Sequence, residues 1–199
     1  MTRVAFLRHA ATAWNAERRL QGRRDLPLSE AGRAAVAGWR LPADVAGWRW
    51  TASPLVRARE TAALLGFPEA AAEPLLLEMD WGAWEGRTVT ALRSALGPAM
   101  AAAEAKGLDL RPPGGESPRE VRERVRRFFR KVAKGAAAQE AAVAVTHKGV
   151  IRAALALATG WDMRSDPPVR LHWDALHLFA VAADGTPSVD RLNIPLDAP

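Results

Sequence analysis

Residues 3–9 read R-V-A-F-L-R-H: an apolar run of strand length, 3–8, that stops abruptly at a histidine. A second run, Ala141 to Val145, ends at Thr146-His147, and the stretch from Gly149 to Thr159 that follows has the length and composition of a helix closed by Gly160. A third, Trp48 to Ala52, leads into Ser53-Pro54, which predicts a helix to about Leu65 with Pro54 at its first position and Gly66 past its end. Strand followed by helix, repeated, predicts an α/β fold: a three-layer sandwich with a mostly parallel central sheet flanked by helices. Such sheets bind ligands at the carboxyl ends of their strands.

Outward from these units, S-E-A-G-R-A-A-V-A-G-W from Ser29 reads as a helix with Ser29 as N-cap and Glu30 in the first turn. Ser117-Pro118-Arg119-Glu120 is a capping box behind the turn-forming Pro112 to Gly115, and it predicts a long amphipathic helix to about Lys134. Ala175 to Ala182 and Ser188 to Leu192 read as strands of a hairpin joined at Asp184 to Thr186. Met79 to Gly86, M-D-W-G-A-W-E-G, is too irregular for a regular element and is expected to be loop. With no internal repeat and no low-complexity linker in 199 residues, one domain spanning 1–199 is expected.

A hydrophobic share of 49% with 25% charged residues places the chain among globular proteins. No run approaches the roughly 20 apolar residues of a membrane span, and the opening M-T-R-V-A-F-L-R has no signal-peptide core. A cytoplasmic location without a membrane partner is therefore expected. The absence of cysteine excludes disulfides and thiolate metal sites. A net charge of +6 favours anionic partners. The densest basic stretch, Arg119 to Lys134, carries Glu120 and Glu123 at helical spacing, so it reads as a charged outer helix face, and no nucleic-acid partner is expected.

Of the four histidines, His9 and His147 stand at strand ends beside Arg8 and Gly149, whereas His172 and His177 lack such neighbours. In S-P-L-V-R-A-R-E-T, Ser53 to Thr61, Arg57 falls in the first turns of a helix that starts at a strand end, and Arg59 faces elsewhere. Two imidazoles, two guanidiniums and a helix N-terminus suit a phosphoryl group, whose charge spreads over its equatorial oxygens in the transition state. A neutral imidazole, with an ordinary pKa of about 6.5, is a competent nucleophile near pH 7. The chain has no H-E-x-x-H, no aspartate-rich loop and no glycine-rich nucleotide loop, so neither a metal nor another cofactor is expected.

These residues make a recognisable set. L-R-H-A-A-T-A-W-N at Leu7 to Asn15 resembles the Arg-His-Gly-Glu-Thr signature of the histidine phosphatase, or phosphoglycerate mutase-like, superfamily. The resemblance continues in family order through Gln21-Gly22, Leu26 to Gly32, Ser53 to Ala62, Leu77 to Gly86 and Val145 to Arg152, nearly the whole chain. It implies that His9 is the phosphorylated nucleophile, that Arg8, Arg57 and His147 cradle the phosphoryl oxygens, that Asn15 adds a polar contact, and that Glu78 is the proton donor. Gln21, Gly22 and Lys148 are expected on the substrate side.

Three positions depart from the signature: Ala10 for a glycine, Ala11 for a glutamate, and Lys148 for a glycine after the second histidine. Ala10 is harmful only if its backbone needs positive φ or very close ligand approach, and Lys148 adds positive charge at the pocket mouth. Mutases of this family tend to be longer and carry Asn-Glu-Arg at the acid, where this chain has Leu-Glu-Met, and W-G-A-W-E-G looks like the phosphatase branch. The expectation is a metal-independent phosphomonoester hydrolase acting on a small phosphate ester. The alternatives are a cofactor-dependent phosphoglycerate mutase and a catalytically silent phosphate-binding or interaction module. Trp81 and Trp84 lie near the acid, while Trp39, Trp48 and Trp50 are expected to pack; a homodimer stays open, since no apolar stripe marks an interface.

Overall fold

Val4 to Leu7 are apolar without interruption because both faces of their strand are covered, the pattern of an interior strand. The computed structural model describes residues 1–135 and 141–196; residues 136–140 and 197–199 of the expected 1–199 domain lie outside them. The strands are β1 (Thr2–Arg8), β2 (Arg49–Ala52), β3 (Ala71–Ala72), β4 (Ala142–Thr146), β5 (Ala175–Val181) and β6 (Pro187–Pro195). The helices are α1 (Ala13–Ala16), α2 (Glu30–Gly38), α3 (Ala43–Ala46), α4 (Val56–Leu64), α5 (Val89–Leu96), α6 (Pro98–Glu104), α7 (Pro118–Gly135) and α8 (Lys148–Thr159).

The strands form one mixed sheet in the order β3-β2-β4-β1-β5-β6. β1, β4, β2 and β3 pair in parallel, and β5 runs against both β1 and β6. The mostly parallel sheet and the C-terminal hairpin are thus as expected. Alternation along the strands divides the core in two. Val4, Phe6, Ala144 and Phe179 pack with Val121, Val125, Phe128 and Phe129 of α7 and with α8. Ala5, Leu7, Val143 and Val145 pack on the other face with Ala58 and Ala62 of α4. Phe6 meets Phe129 and Phe179 edge-on at 5.7 Å each, contacts worth about 0.5–1.5 kcal/mol apiece beyond their burial.

The helix boundaries follow their caps. Ser117 N donates to Glu120 Oε2 at 2.8 Å and Glu120 N to Ser117 Oγ at 3.3 Å, the reciprocal box that starts α7. Gly160, at φ 75°, closes α8. On the outer face of α7, Arg119 pairs with Asp109, Arg126 with Glu123 and Lys131 with Glu73.

The structure corrects one reading and adds two helices. α4 begins at Val56 rather than Pro54: Ser53 is still hydrogen-bonded into the sheet through Val145 O, Leu55 is extended, and the first helical N–H, that of Val56, is capped from another loop by Asp25 Oδ1 at 2.7 Å. α5 and α6 were not anticipated; Thr88 caps the first through Ala91 N at 3.1 Å, and Leu92 and Met100 anchor the pair on Trp84. The Met79–Gly86 stretch holds one 3-10 turn, Gly82–Trp84, in an otherwise irregular path. Trp50 stacks on Phe67 at 3.9 Å, and Trp39 and Trp48 pack against the same core. Among the described residues no helix is long and apolar enough to cross a membrane.

Candidate active site

β2, β4 and β1 lie side by side and point the same way, so the residues that follow them meet at one edge. His9 N donates to Thr146 O and Ser53 N to Val145 O, each at 2.9 Å. This brings the His9 and His147 rings to 5.1 Å between centroids, and places Ser53 Oγ 2.7 Å from His147 Nε2.

His9 Nδ1 lies 2.7 Å from Ala10 O. A carbonyl only accepts, so Nδ1 carries the hydrogen and Nε2 keeps its lone pair. Burial first, then the Arg8 and Arg57 guanidiniums, push the His9 pKa well below 6.5, so the ring is neutral at pH 7. Burial, then Arg57, does the same to His147. His147 Nδ1, Arg8 Nε and Arg57 Nε are all buried without a hydrogen-bond partner. Each buried, unsatisfied polar atom costs about 1–3 kcal/mol, a cost that an anion accepting from them offsets.

Arg57 is fully buried and donates to Gly22 O and Arg24 O, both at 2.7 Å. The loop offering those carbonyls is clamped by Glu85, which accepts from Arg23 N at 2.7 Å and pairs with Arg24 at 3.4 Å. Gly22 has φ +54°, and a Cβ there would stand 1.9 Å from Glu85 Oε1. The Gln21-Gly22 and Trp84-Glu85-Gly86 segments are therefore two halves of one clamp that orients Arg57. Gln21 is buried on this loop with its Oε1 unpartnered.

Glu78 is buried at the N-terminus of α8, where Oε1 accepts from Met79 N at 2.8 Å and Gly149 N at 3.1 Å. It acts electrostatically on Arg8, Arg57, Lys148 and Arg152. Asn15 Oδ1 accepts from Thr12 N at 2.9 Å and from Thr12 Oγ at 3.2 Å, which caps α1 and leaves any contact with an anion to the amide nitrogen. Lys148, the exposed first residue of α8, holds Nζ 5.1 Å over the Trp173 ring.

Ala10 has no positive φ. It is buried against Leu28 and Val36, so its methyl fills core rather than strains the loop. Ala11 contributes its carbonyl, which accepts from Ser29 N and Ser29 Oγ; a Cβ on Gly32 would come within 2.1 Å of that oxygen, which accounts for the glycine in L-S-E-A-G.

His177 is a structural histidine. Its Nε2–H donates to His172 O at 3.0 Å and Nδ1 accepts from Asn193 N at 3.4 Å, with burial lowering its pKa to about 4. Trp84 is core and Trp81 packs beside it, 6.3 Å between rings. Arg59 is exposed, as its phase predicts. The sequence reading missed the partnership of Ser53 with His147, Gly149 as donor to Glu78, and the pairing of Trp173 with Arg8 and Lys148. Among the described residues no group of three or more His, Asp or Glu side chains is arranged to hold a metal ion.

The chain matches the model of the histidine phosphatase superfamily (branch 1) over residues 4–195. It is 33% identical over 205 residues to a bifunctional protein of Mycobacterium tuberculosis, covering 96% of this chain and 54% of that protein, so it spans about half the length of that relative. It is 35% identical over 131 residues to a 2,3-bisphosphoglycerate-dependent phosphoglycerate mutase of Methylobacterium radiotolerans, 61% of this chain and 62% of the mutase. Among solved structures, a mycobacterial glucosyl-3-phosphoglycerate phosphatase complexed with VO3 superposes with a TM-score of 0.78 at 27% identity, covering 100% of both chains. With the strand-end histidines in place and the family model matched almost end to end, the chain belongs to the histidine phosphatase superfamily, whose members are phosphatases or mutases.

Proposed function

We propose that the chain is a metal-independent phosphomonoester hydrolase that works through a covalent phosphohistidine on His9 and acts on a small phosphate ester. The observation that carries this reading is the hydrogen bond from His9 Nδ1 to Ala10 O, which leaves a neutral Nε2 lone pair beside Arg8, Arg57 and His147. Nε2 attacks phosphorus, the ester P–O bond breaks, and Glu78 delivers a proton to the departing oxygen. Positive charge that develops on the imidazole is stabilised by the Ala10 carbonyl, and charge on the phosphoryl oxygens by Arg8, Arg57 and His147. In the second half-reaction the Glu78 carboxylate takes a proton from water as its oxygen attacks phosphorus. The P–N bond then breaks, returning its electron pair to Nε2 and releasing inorganic phosphate.

The glucosyl-3-phosphoglycerate phosphatase likeness and the Leu-Glu-Met sequence at the acid support hydrolysis. The likeness to a phosphoglycerate mutase supports isomerisation as the second reading. Incubation with p-nitrophenyl phosphate and with 3-phosphoglycerate separates the two. Hydrolysis releases inorganic phosphate from either ester, and quenching in base retains an acid-labile phosphoryl group that is absent from His9→Ala. Conversion of 3-phosphoglycerate to 2-phosphoglycerate without net phosphate, or full turnover by His9→Ala, overturns the proposal.

A further inference from the structure

Ser53 is fully buried just past the end of β2, where its N–H still bonds Val145 O at 2.9 Å, so the sheet itself delivers its hydroxyl to His147. Oγ stands 2.7 Å from His147 Nε2, and both residues are closed off from solvent. Burial, then Arg57, keeps the His147 ring neutral at pH 7, so it carries one hydrogen. Two arrangements of that hydrogen fit the contact. Either Nε2–H donates to Oγ, or the Ser53 hydroxyl donates to a bare Nε2 and the ring hydrogen sits on Nδ1.

The surroundings of Oγ separate them. Among the described residues its one further contact is Leu55 N at 3.4 Å, a group that only donates. Were Nε2–H to donate as well, the hydroxyl hydrogen would be buried with no acceptor. His147 Nδ1, which has no partner, would then be a lone pair beside Arg8, Arg57 and His9, an acceptor where an anion needs donors. With the hydroxyl donating instead, every hydrogen of the pair is used except Nδ1–H. That remaining donor joins the unpartnered Nε groups of Arg8 and Arg57, and an oxyanion satisfies all of them. His9 is governed in the converse sense: its Nδ1–H is spent on Ala10 O, which leaves Nε2 bare. Two rings 5.1 Å apart, both carrying hydrogen on Nδ1, thus offer the pocket a lone pair from His9 and a donor from His147.

Resting on the reading that this pocket receives a phosphoryl group, we propose that Ser53 is a positioning residue: its hydroxyl fixes the tautomer of His147, so that Nδ1–H is a standing donor to the phosphoryl oxygens. Which ring nitrogen of a neutral histidine carries the hydrogen is set by the bond the other nitrogen makes, and here that bond is the one to Ser53. Without the hydroxyl the hydrogen is free to move to Nε2, and the imidazole then turns a lone pair toward the anion.

Labelling the histidine rings with 15N reads the tautomer directly, because protonated and bare ring nitrogens differ widely in chemical shift; His147→Asn identifies the resonances among the four histidines. In the wild type at pH 7 His147 is expected to carry its hydrogen on Nδ1, and in Ser53→Ala a substantial share moves to Nε2. Hydrogen on Nε2 in the wild type overturns the proposal whether or not any variant folds, and so does a Ser53→Ala spectrum unchanged from wild type. Catalysis responds too. In Ser53→Ala, shown by urea unfolding to be folded, kcat on p-nitrophenyl phosphate and inhibition by orthovanadate should each weaken by about tenfold to a hundredfold, the loss of one charge-assisted hydrogen bond, while KM moves by less than about threefold. Losses of kcat and inhibition below about threefold reject the role. If the wild type turns over neither p-nitrophenyl phosphate nor 3-phosphoglycerate, the phosphoryl-transfer reading fails instead. Calorimetric titration with inorganic phosphate then decides on Ser53 alone: weaker binding by Ser53→Ala together with the tautomer change sustains its role, and equal affinities reject it.

Discussion

Replacing Gly149 by alanine tests the proton-donor role of Glu78 without touching the carboxylate itself. An added Cβ would stand 2.3 Å from Glu78 Oε1 and 3.3 Å from its Cδ, whereas ordinary contact begins at 3.4 Å, so the carboxylate must retreat by about 1 Å. The obstruction is the free end of a side chain rather than backbone, and Gly149 has no positive φ, so the fold accommodates the change. Alanine is in fact the better helix former by about 0.8–1 kcal/mol. Retreat also weakens the 3.1 Å bond from Gly149 N. A misplacement of this size costs on the order of 100-fold, and the whole general-acid contribution is typically about 10²–10⁴. Expected, then, is a fall in kcat of about 100-fold, near 2.7 kcal/mol of barrier, on an alkyl ester such as 2-hydroxyethyl phosphate. The midpoint of urea unfolding should hold or rise. With p-nitrophenyl phosphate the phosphorylation step is spared, because nitrophenolate leaves without a proton, and a burst appears as hydrolysis of the phosphoenzyme becomes limiting. Glu78→Gln should behave alike, and the double variant should add little, since the two residues act as one unit. A kcat within threefold of wild type on the alkyl ester, with stability intact, would refute the reasoning.

Under the proposed mechanism His9 must be neutral to attack, and lowering its pKa keeps it neutral to lower pH; the acid limb of kcat/KM should therefore lie below pH 6.5, and a limb at or above 6.5 contradicts the electrostatics of the pocket. His177 is folded neutral with a pKa of about 4, whereas the unfolded chain takes up its proton near 6.5, so its contribution to stability is full above 6.5 and is lost as pH falls toward 4. The loss amounts to about 3 kcal/mol; in His177→Leu the difference in unfolding free energy between pH 7 and pH 4 should shrink by that order, as measured by urea titration at each pH. Turnover of p-nitrophenyl phosphate should persist after dialysis against a strong chelator, and its loss with recovery on adding a divalent cation would remove the metal-independent mechanism.

The cluster of His9, His147, Ser53 and Arg57 was legible in the sequence because each of its groups is placed by local structure. A histidine directly after an interior strand has one direction to go, and strands β1, β4 and β2 are adjacent, so His9, His147 and Ser53 converge whatever the loops do. Arg57 follows from helix phase after a strand end, although the predicted start at Pro54 was two residues early because the true cap, Asp25, comes from a loop 31 residues upstream. α5 and α6 escaped because apolar alanines, Ala91, Ala95, Ala99 and Ala101, occupy exposed positions where polar residues would mark the solvent face, which blurs the 3.6-residue contrast of an amphipathic helix.

The parts that sequence left dark are the long-range ones. No spacing rule joins Ser53 to His147 across 94 residues, and none joins Gly22 to Glu85, although the clearance of 1.9 Å makes that glycine as necessary as any charged group. The same limit hides Trp173, whose ring, from the far end of the chain, meets Arg8 at 5.7 Å.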